Sequence, residues 1–130
     1  MSDTLKKVML VEDDEEIAFM TVVALQDFGG LEVRHCPSGH EALACFDEFA
    51  PQIVLMDVMM PGLDGPGTLE SLRRKPSAKD VPVVFMTAKA QTHQQQEYLD
   101  LGAVAVIAKP FNPIELAERL NTIWHSARGD

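Results

Sequence analysis

Positive charge, cysteine and long apolar runs are all scarce in this chain of 130 residues, and each scarcity removes a class of function. Eleven Lys and Arg face twenty Asp and Glu, for a formal net charge of −9. Nonspecific nucleic-acid binding rests on basic patches that neutralise phosphates, so this balance argues against it. The one basic cluster is Arg73-Arg74-Lys75, just ahead of Pro76. It reads as a helix C-terminus complementing the helix dipole, with an anion site as the alternative. Cys36 and Cys45 stand nine positions apart, with no CxxC and no His at metal-ligand spacing. One falls at a strand end and the other inside a helix, which makes them buried free thiols suited to a reducing compartment. No run approaches the ~18 apolar residues of a membrane helix, and Met1-Ser2-Asp3 opens nothing like a signal peptide. A soluble, cytoplasmic protein is the expectation, without membrane or direct nucleic-acid partners. Gly-x-Gly-x-x-Gly and P-loop patterns are missing after every apolar run, which argues against a nucleotide-binding module.

What is present is enough for one core. Hydrophobic residues make up 46% of the chain, and Gly and Pro number only 8 each. Single domains cluster at roughly 100–150 residues, so residues 1–130 read as one domain with an ordered core of about 5–125. Strand-like and helix-like periods alternate from end to end. Val8 to Val11 is followed by a helix from Asp14 to Phe28, with Ile17, Met20, Ala24, Leu25 and Phe28 at helical spacing and Gly29-Gly30 closing it. Leu31 to Arg34 alternates apolar with polar, the mark of a half-exposed edge strand. Ser38 to Phe49 is a helix capped by Ser38 with Glu41 three residues on. Ile53 to Met56 is the third strand, and a loop with Pro61, Gly62, Gly65 and Pro66 leads to a helix over Gly67 to Lys75. A fourth strand runs from Val81 to Thr87, a helix from Gln91 to Leu101, and a fifth strand from Val104 to Ala108. Asn112-Pro113 caps a last helix that turns Leu116, Leu120, Ile123 and Trp124 inward. Strictly alternating units predict an α/β fold, a parallel sheet between two layers of helices.

Four strands end on residues suited to phosphate. The first runs into Glu12 and Asp13, the third into Asp57, the fourth into Thr87 and the fifth into Lys109. Ligands of open parallel sheets gather beyond the carboxyl ends of strands, where the strand order reverses. An edge position for strand two fits the order 2-1-3-4-5, in which strands one and three flank that point. The run Glu12-Asp13-Asp14-Glu15-Glu16 alone would be a solvated face. A lone Asp57 at the end of the neighbouring buried strand makes it part of a site instead. Two carboxylates ~4 Å apart repel by about 4 kcal/mol at an effective dielectric near 20, so such a site protonates one member or binds a cation. All-oxygen ligands favour Mg²⁺. His35, His40, His93 and His125 lie in scattered contexts without ligand spacing. With Glu12, Asp13 and Asp57 ionised, the charges of Lys109 and one Mg²⁺ balance the site. Asp57 is then the nucleophile for an acyl phosphate, Lys109 neutralises developing charge, and Thr87 donates its hydroxyl.

The stretches V-M-L-V-E-D-D, L-M-D-V-M-M-P-G-L-D-G, V-V-F-M-T-A and A-K-P-F, with the Asp13-to-Asp57 interval, closely resemble the receiver domain of bacterial two-component response regulators, over essentially the whole chain. The resemblance implies a doubly wound, flavodoxin-like fold with five strands in the order 2-1-3-4-5 and five helices. It implies a phosphoacceptor signalling domain that is not an enzyme in its own right and slowly dephosphorylates itself. Asp57 takes the phosphoryl group from a sensor histidine kinase or a histidine phosphotransfer protein, and the product switches binding to a downstream protein. Mg²⁺ ligation falls to Asp13, Asp57 and the backbone carbonyl of Met59, with Glu12 acting through water. Thr87, Ala88 and Lys109 contact the phosphoryl group, and the Lys109–Pro110 bond is cis. Met59 and Lys89 occupy the positions that tune dephosphorylation, Lys89 either as a second cation or as a solvated side chain. Val106 stands where many receivers carry Tyr or Phe, so phosphate is expected to couple weakly to the Gln91–Leu101 helix. The donor is expected near the first helix and the Pro110-Phe111 loop. The Gln94-Gln95-Gln96-Glu97-Tyr98 face is then the signalling surface or an ordinary solvated helix. Two rivals remain: an interaction module that never takes phosphate, and a Mg-dependent aspartyl-phosphate phosphatase. The latter class places a second Asp two residues after the nucleophile, where this chain has Met59.

Overall fold

Two apolar runs of the chain are buried at every residue, and they form the middle of the sheet. In the computed structural model, which describes residues 4–89 and 91–129, these are β3 (Ile53–Asp57) and β4 (Val83–Thr87). Burial on both faces is what covered parallel strands require, and it explains why neither run alternates. Around them lie β1 (Lys7–Val11), β2 (Glu32–Cys36) and β5 (Ala105–Ala108), in the order β2-β1-β3-β4-β5 with every pairing parallel. The helices are α1 (Glu15–Val23), α2 (Gly39–Phe49), α3 (Gly65–Arg73), α4 (Thr92–Asp100) and α5 (Leu116–Ala127). This is the parallel sheet between helices that the alternation predicts, in the doubly wound order that the resemblance implies.

Strand alternation divides the core in two. Met9, Val11, Val54, Met56 and Phe85 meet Ala42 and Phe46 of α2 and Leu69 and Leu72 of α3 on one face. Val8, Leu10, Leu55, Val84 and Ile107 meet Ala18, Leu25, Leu120 and Trp124 on the other. The edge strand β2 is only partly buried until Cys36, in keeping with its alternating sequence.

Several boundaries differ from the sequence reading, each for a physical reason. The first helix ends as α at Val23 and continues over Ala24–Phe28 as a π-helical turn. Ala18 and Thr21 of the α segment and Ala24 and Leu25 of the π turn are the residues buried. Met20 and Phe28, expected inward, are 55% and 61% exposed. Asp14 is the cap, accepting from the backbone N–H groups of Glu16 and Ile17 at 2.9 and 3.0 Å. β2 starts at Glu32 and runs on to Cys36, and β4 starts after Pro82, which has no N–H to give a ladder. α3 begins at Gly65 because Asp64 caps it and Pro66 is tolerated in a first turn. β5 starts at Ala105 rather than Val104. Asn112 accepts from Ile114 N–H at 2.9 Å and closes a local turn, so regular α5 starts only at Leu116. Cys36 is a buried free thiol as expected, whereas Cys45 is only partly buried. Arg73 sits in the last turn of α3 and donates to the carbonyls of Ala78 and Val81, both at 2.9 Å. Arg74 pairs with Glu70 and Lys75 with Asp47, so the basic cluster ties down a helix end.

Gly65 shows how tightly α3 seats on the end of β3. A methyl group there would lie 2.6 Å from the Asp57 carbonyl oxygen and 2.9 Å from Val58 Cα, both main-chain atoms that do not yield. Gly65→Ala is therefore expected to cost about 1–3 kcal/mol of stability, read as a lowered urea midpoint; an unchanged midpoint would show that β3 and α3 can separate freely.

Candidate functional site

Register brings the strand ends together. Val11 pairs with Met56, Asp57 with Met86, and Thr87 with Ala108, so the residues just past each pair share one rim of the sheet. Glu12 follows Val11 and is fully buried, although it carries a carboxyl group. Asp57 and Thr87 are buried at the same rim, and Asp13 is exposed. One oxygen from each of Glu12, Asp13 and Asp57 lies within 4.8 Å of the others. Lys109 reaches across from the end of β5, its Nζ 2.7 Å from Glu12 Oε1 and 3.2 Å from Asp57 Oδ1. Its backbone N–H donates to the Thr87 carbonyl at 2.9 Å, and the Lys109–Pro110 bond is cis.

Every polar atom of Glu12 is engaged. Oε2 accepts from Asp14 N–H at 3.3 Å, and its backbone N–H donates to the Cys36 carbonyl at 3.1 Å. Its carbonyl oxygen, which can only accept, takes the Nε2–H of His35 at 2.8 Å. Burial, then the nearby Asp57 charge, push the Glu12 carboxyl up to about 7 against the opposing hydrogen bond from Lys109. Burial alone would lower the Lys109 ammonium, but the hydrogen bond to Glu12 and the charges of Asp57 and Glu12 outweigh it, and the net direction is upward. The cluster therefore holds a cation already and is still short of positive charge. Three hard oxygen donors at this spacing, two of them on buried residues at strand ends, fit a small divalent ion with oxygen preference.

The remaining candidates divide. Thr87 Oγ1 accepts from Lys89 N–H at 3.0 Å, which leaves its own proton free to be donated. Lys89 thus contributes its backbone at the rim, while its side chain is exposed. Ala88 is exposed beside Lys109 and shares with it an apolar groove of about 500 Å³, lined also by Ile17, Met20, Pro110, Phe111 and Pro113. That groove explains the exposure of Met20, which the helical spacing had assigned to the core. The Met59 side chain is 69% exposed beyond Asp57. Val106 lies below the rim, half-buried opposite Phe85. The ring packed edge-on against Phe85 is Tyr98 of α4, with centroids 5.5 Å apart. The Gln94–Tyr98 stretch is not a single face: Gln94, Gln95 and Tyr98 are half-buried and Gln96 and Glu97 point outward. Five consecutive helical residues wrap past a full turn. Sequence reasoning had set His35 aside. Its signal was its place one residue before the end of β2, paired with Leu10 two residues ahead of Glu12.

Comparison with known proteins agrees with this geometry. Residues 8–121 match the family model of the response regulator receiver domain. A probable transcriptional regulator, ycf27 of Porphyra purpurea, is 34% identical over 127 residues, covering 98% of this chain and 51% of that protein. The phosphate regulon transcriptional regulatory protein PhoB of Pseudomonas aeruginosa is 32% identical over 118 residues, covering 91% of this chain and 51% of that protein. The chain thus spans about half the length of the curated relatives it matches. Among solved structures, the chemotaxis protein CheY4 of Vibrio cholerae superposes with a TM-score of 0.84 at 31% identity, covering 92% of this chain and 98% of that one.

Proposed function

Because the chain belongs to the response regulator receiver domain family, a signalling module of two-component systems, we propose that it accepts a phosphoryl group on Asp57 from a phosphohistidine and uses the product to switch a partner. The observation that carries this reading is the meeting of Glu12, Asp13, Asp57, Thr87 and Lys109 at one rim of the sheet. A carboxylate oxygen of Asp57 attacks phosphorus, a P–O bond forms, and the P–N bond of the donor breaks with its electron pair returning to the imidazole nitrogen. The Lys109 ammonium, already at Asp57, neutralises the oxygens as charge develops, and the Thr87 hydroxyl donates to the phosphoryl group once it has arrived. Asp13, Asp57 and the Met59 carbonyl, with Glu12 through water, would hold a magnesium ion, which would supply further neutralisation of those oxygens. Water later cleaves the acyl phosphate, so the domain resets itself without acting on an outside substrate.

Residues 1–130 act as one receiver domain with an ordered core of about 5–125, in the cytoplasm where phosphohistidine donors are made. The apolar groove between Ile17, Met20 and the Lys109–Phe111 turn opens beside Asp57's cation, which suits docking of a sensor kinase or histidine phosphotransfer protein. Relatives named as transcriptional regulators are about twice as long, so only the receiver role is carried over to this chain. The test is intact-mass analysis after incubation with acetyl phosphate and Mg²⁺. Gain of one phosphoryl group that chelator prevents supports a receiver. No gain would leave an inert interaction module, and sustained hydrolysis of small phosphate esters would indicate a phosphatase.

His35 is a positioning residue in this scheme, since its N–H fixes the Glu12 carbonyl and with it the turn that carries Asp13. Outer-shell changes typically cost about 10–100-fold in metal affinity. Calorimetric titration should show His35→Ala weakening Mg²⁺ binding by about tenfold, with His35→Gln, which keeps a donor, closer to the parent. Equal Kd values for all three would remove His35 from the site. The switch also differs from receivers with an aromatic at the Val106 position. Val106 has no ring to swing, α4 buries no residue, and the aromatic contact is made by Tyr98 instead. NMR spectra of free and beryllofluoride-bound protein should therefore change at Thr87 and Lys89 and little along α4; a large α4 rearrangement would contradict weak coupling.

A further inference from the structure

The two cysteines take no part in phosphate chemistry, yet the fold brings them together. Strand alternation places Arg34 and Cys36 on one face of β2. Cys36 joins the core under α2 with Ala42 and Phe46, and Cys45, three residues past Ala42, packs half-buried against that same core. Cys45 is a near neighbour of Cys36, close enough to raise its thiol. Arg34 Nη2 donates to Cys45 Sγ at 3.1 Å, and Glu48 lies 3.7 Å from the other end of the guanidinium. The neighbours occupy unlike environments. Cys36 is 1% exposed, and burial, then the neighbouring Cys45, push its thiol up to about 11, so it stays protonated at neutral pH. Cys45 reaches solvent and carries a cation on its sulfur.

We propose that Cys45 and Cys36 form an oxidation site, at which a hydroperoxide oxidises Cys45 and Cys36 closes an intramolecular disulfide. The Cys45 sulfur attacks a peroxide oxygen: an S–O bond forms, the O–O bond breaks, and the leaving oxygen takes a proton as water. The Cys36 sulfur then attacks the Cys45 sulfenic acid, an S–S bond forms, the S–O bond breaks, and the departing hydroxide takes the Cys36 proton. Two thiols lose two electrons and two protons, and hydrogen peroxide becomes two waters. Arg34 stabilises the charge on the Cys45 sulfur during the first step. The buried thiol resolves the intermediate because it is the neighbouring thiol in the same cluster. The bridge would tie α2 to the end of β2, one hydrogen bond from Glu12 through the Cys36 carbonyl.

The experiment exposes the reduced chain to hydrogen peroxide at neutral pH, without metal or phosphodonor, and follows intact mass and peptide maps. The mass is expected to fall by two hydrogens, to recover with dithiothreitol, and the map to join the peptides holding Cys36 and Cys45. Cys36→Ser should stop at one added oxygen on Cys45 that dimedone captures, and Cys45→Ser should stay reduced at the same dose. Arg34→Met leaves both thiols in place and should slow the reaction about tenfold. Asp57→Asn should oxidise like the parent, which separates this result from the fate of the phosphate reading. A bridge between two chains, oxidation of Cys36 at the parent rate in Cys45→Ser, or an unchanged rate in Arg34→Met would each overturn the proposal.

Discussion

Asp57→Asn is expected to take up no phosphoryl group at all from acetyl phosphate, while keeping the parent fold. An amide has no anionic oxygen to attack phosphorus, and the other two carboxylates cannot take over. Glu12 is fully buried with both oxygens engaged by Lys109 and Asp14, and Asp13 is exposed and makes no ion pair with the Lys109 ammonium that stands at Asp57. Loss of the nucleophile in a reaction with one covalent step removes the step itself. Intact-mass analysis of parent and variant side by side checks this. Retained uptake at the parent rate would place the acceptor elsewhere and dissolve the proposed roles of Lys109 and Thr87.

The second large effect concerns stability and pH. Glu12 has its carboxyl raised from an ordinary 4.5 to about 7 in the folded state, so folding favours its proton. A group raised in this way stabilises fully below its unfolded value, and the contribution is lost as pH climbs through the folded one. One pKa unit is worth about 1.4 kcal/mol, so metal-free protein should lose on the order of 3 kcal/mol between about pH 4.5 and pH 7. Lys109, also raised, holds its charge throughout that window and loses it only above its ordinary 10.5, so it does not reverse the trend. Lys109→Met should extend the fall to higher pH, because the hydrogen bond from Lys109 at 2.7 Å opposes the rise of the Glu12 carboxyl and its loss keeps the proton bound further up. Removing one partner of a buried pair costs about 3–5 kcal/mol, and protonation of Glu12 shields the variant from that cost at low pH. Urea titrations of both proteins from pH 5 to pH 8, with and without Mg²⁺, measure the effect. Parallel stability curves for the two proteins would refute this account, as would a parent whose stability rises with pH in the absence of metal. Added Mg²⁺ should flatten the parent curve by supplying the charge that ionised Glu12 lacks.

Much of this was legible in the residues, and the exceptions share a cause. β3 and β4 read as unbroken apolar runs because both their faces are covered, and the rim residues followed from where those runs stop. α1 did not read correctly because Ile17, Ala18, Phe19, Met20, Val22 and Val23 are apolar all round, and no stripe distinguishes the buried Ala18 and Thr21 from the groove-lining Met20. The acidic run looked like one feature and is three: Glu12 and Asp13 at the rim, Asp14 as a helix cap, and Glu15 and Glu16 in the first turn. His35 was passed over because its place near the end of β2 gains meaning only from strand pairing, which brings it to a backbone carbonyl. Local signals told where elements stop; contacts across strands needed the register.

The most direct measurement is reductive trapping. The chain is treated with acetyl phosphate and Mg²⁺, reduced with borohydride, which converts an acyl phosphate to the corresponding alcohol, and mapped by peptide mass spectrometry. The reduced side chain should be found at Asp57 alone, and should vanish when chelator is present. Reduction at Glu12, at Asp13 or at no carboxylate would contradict the assignment of Asp57 as the residue that carries the phosphoryl group.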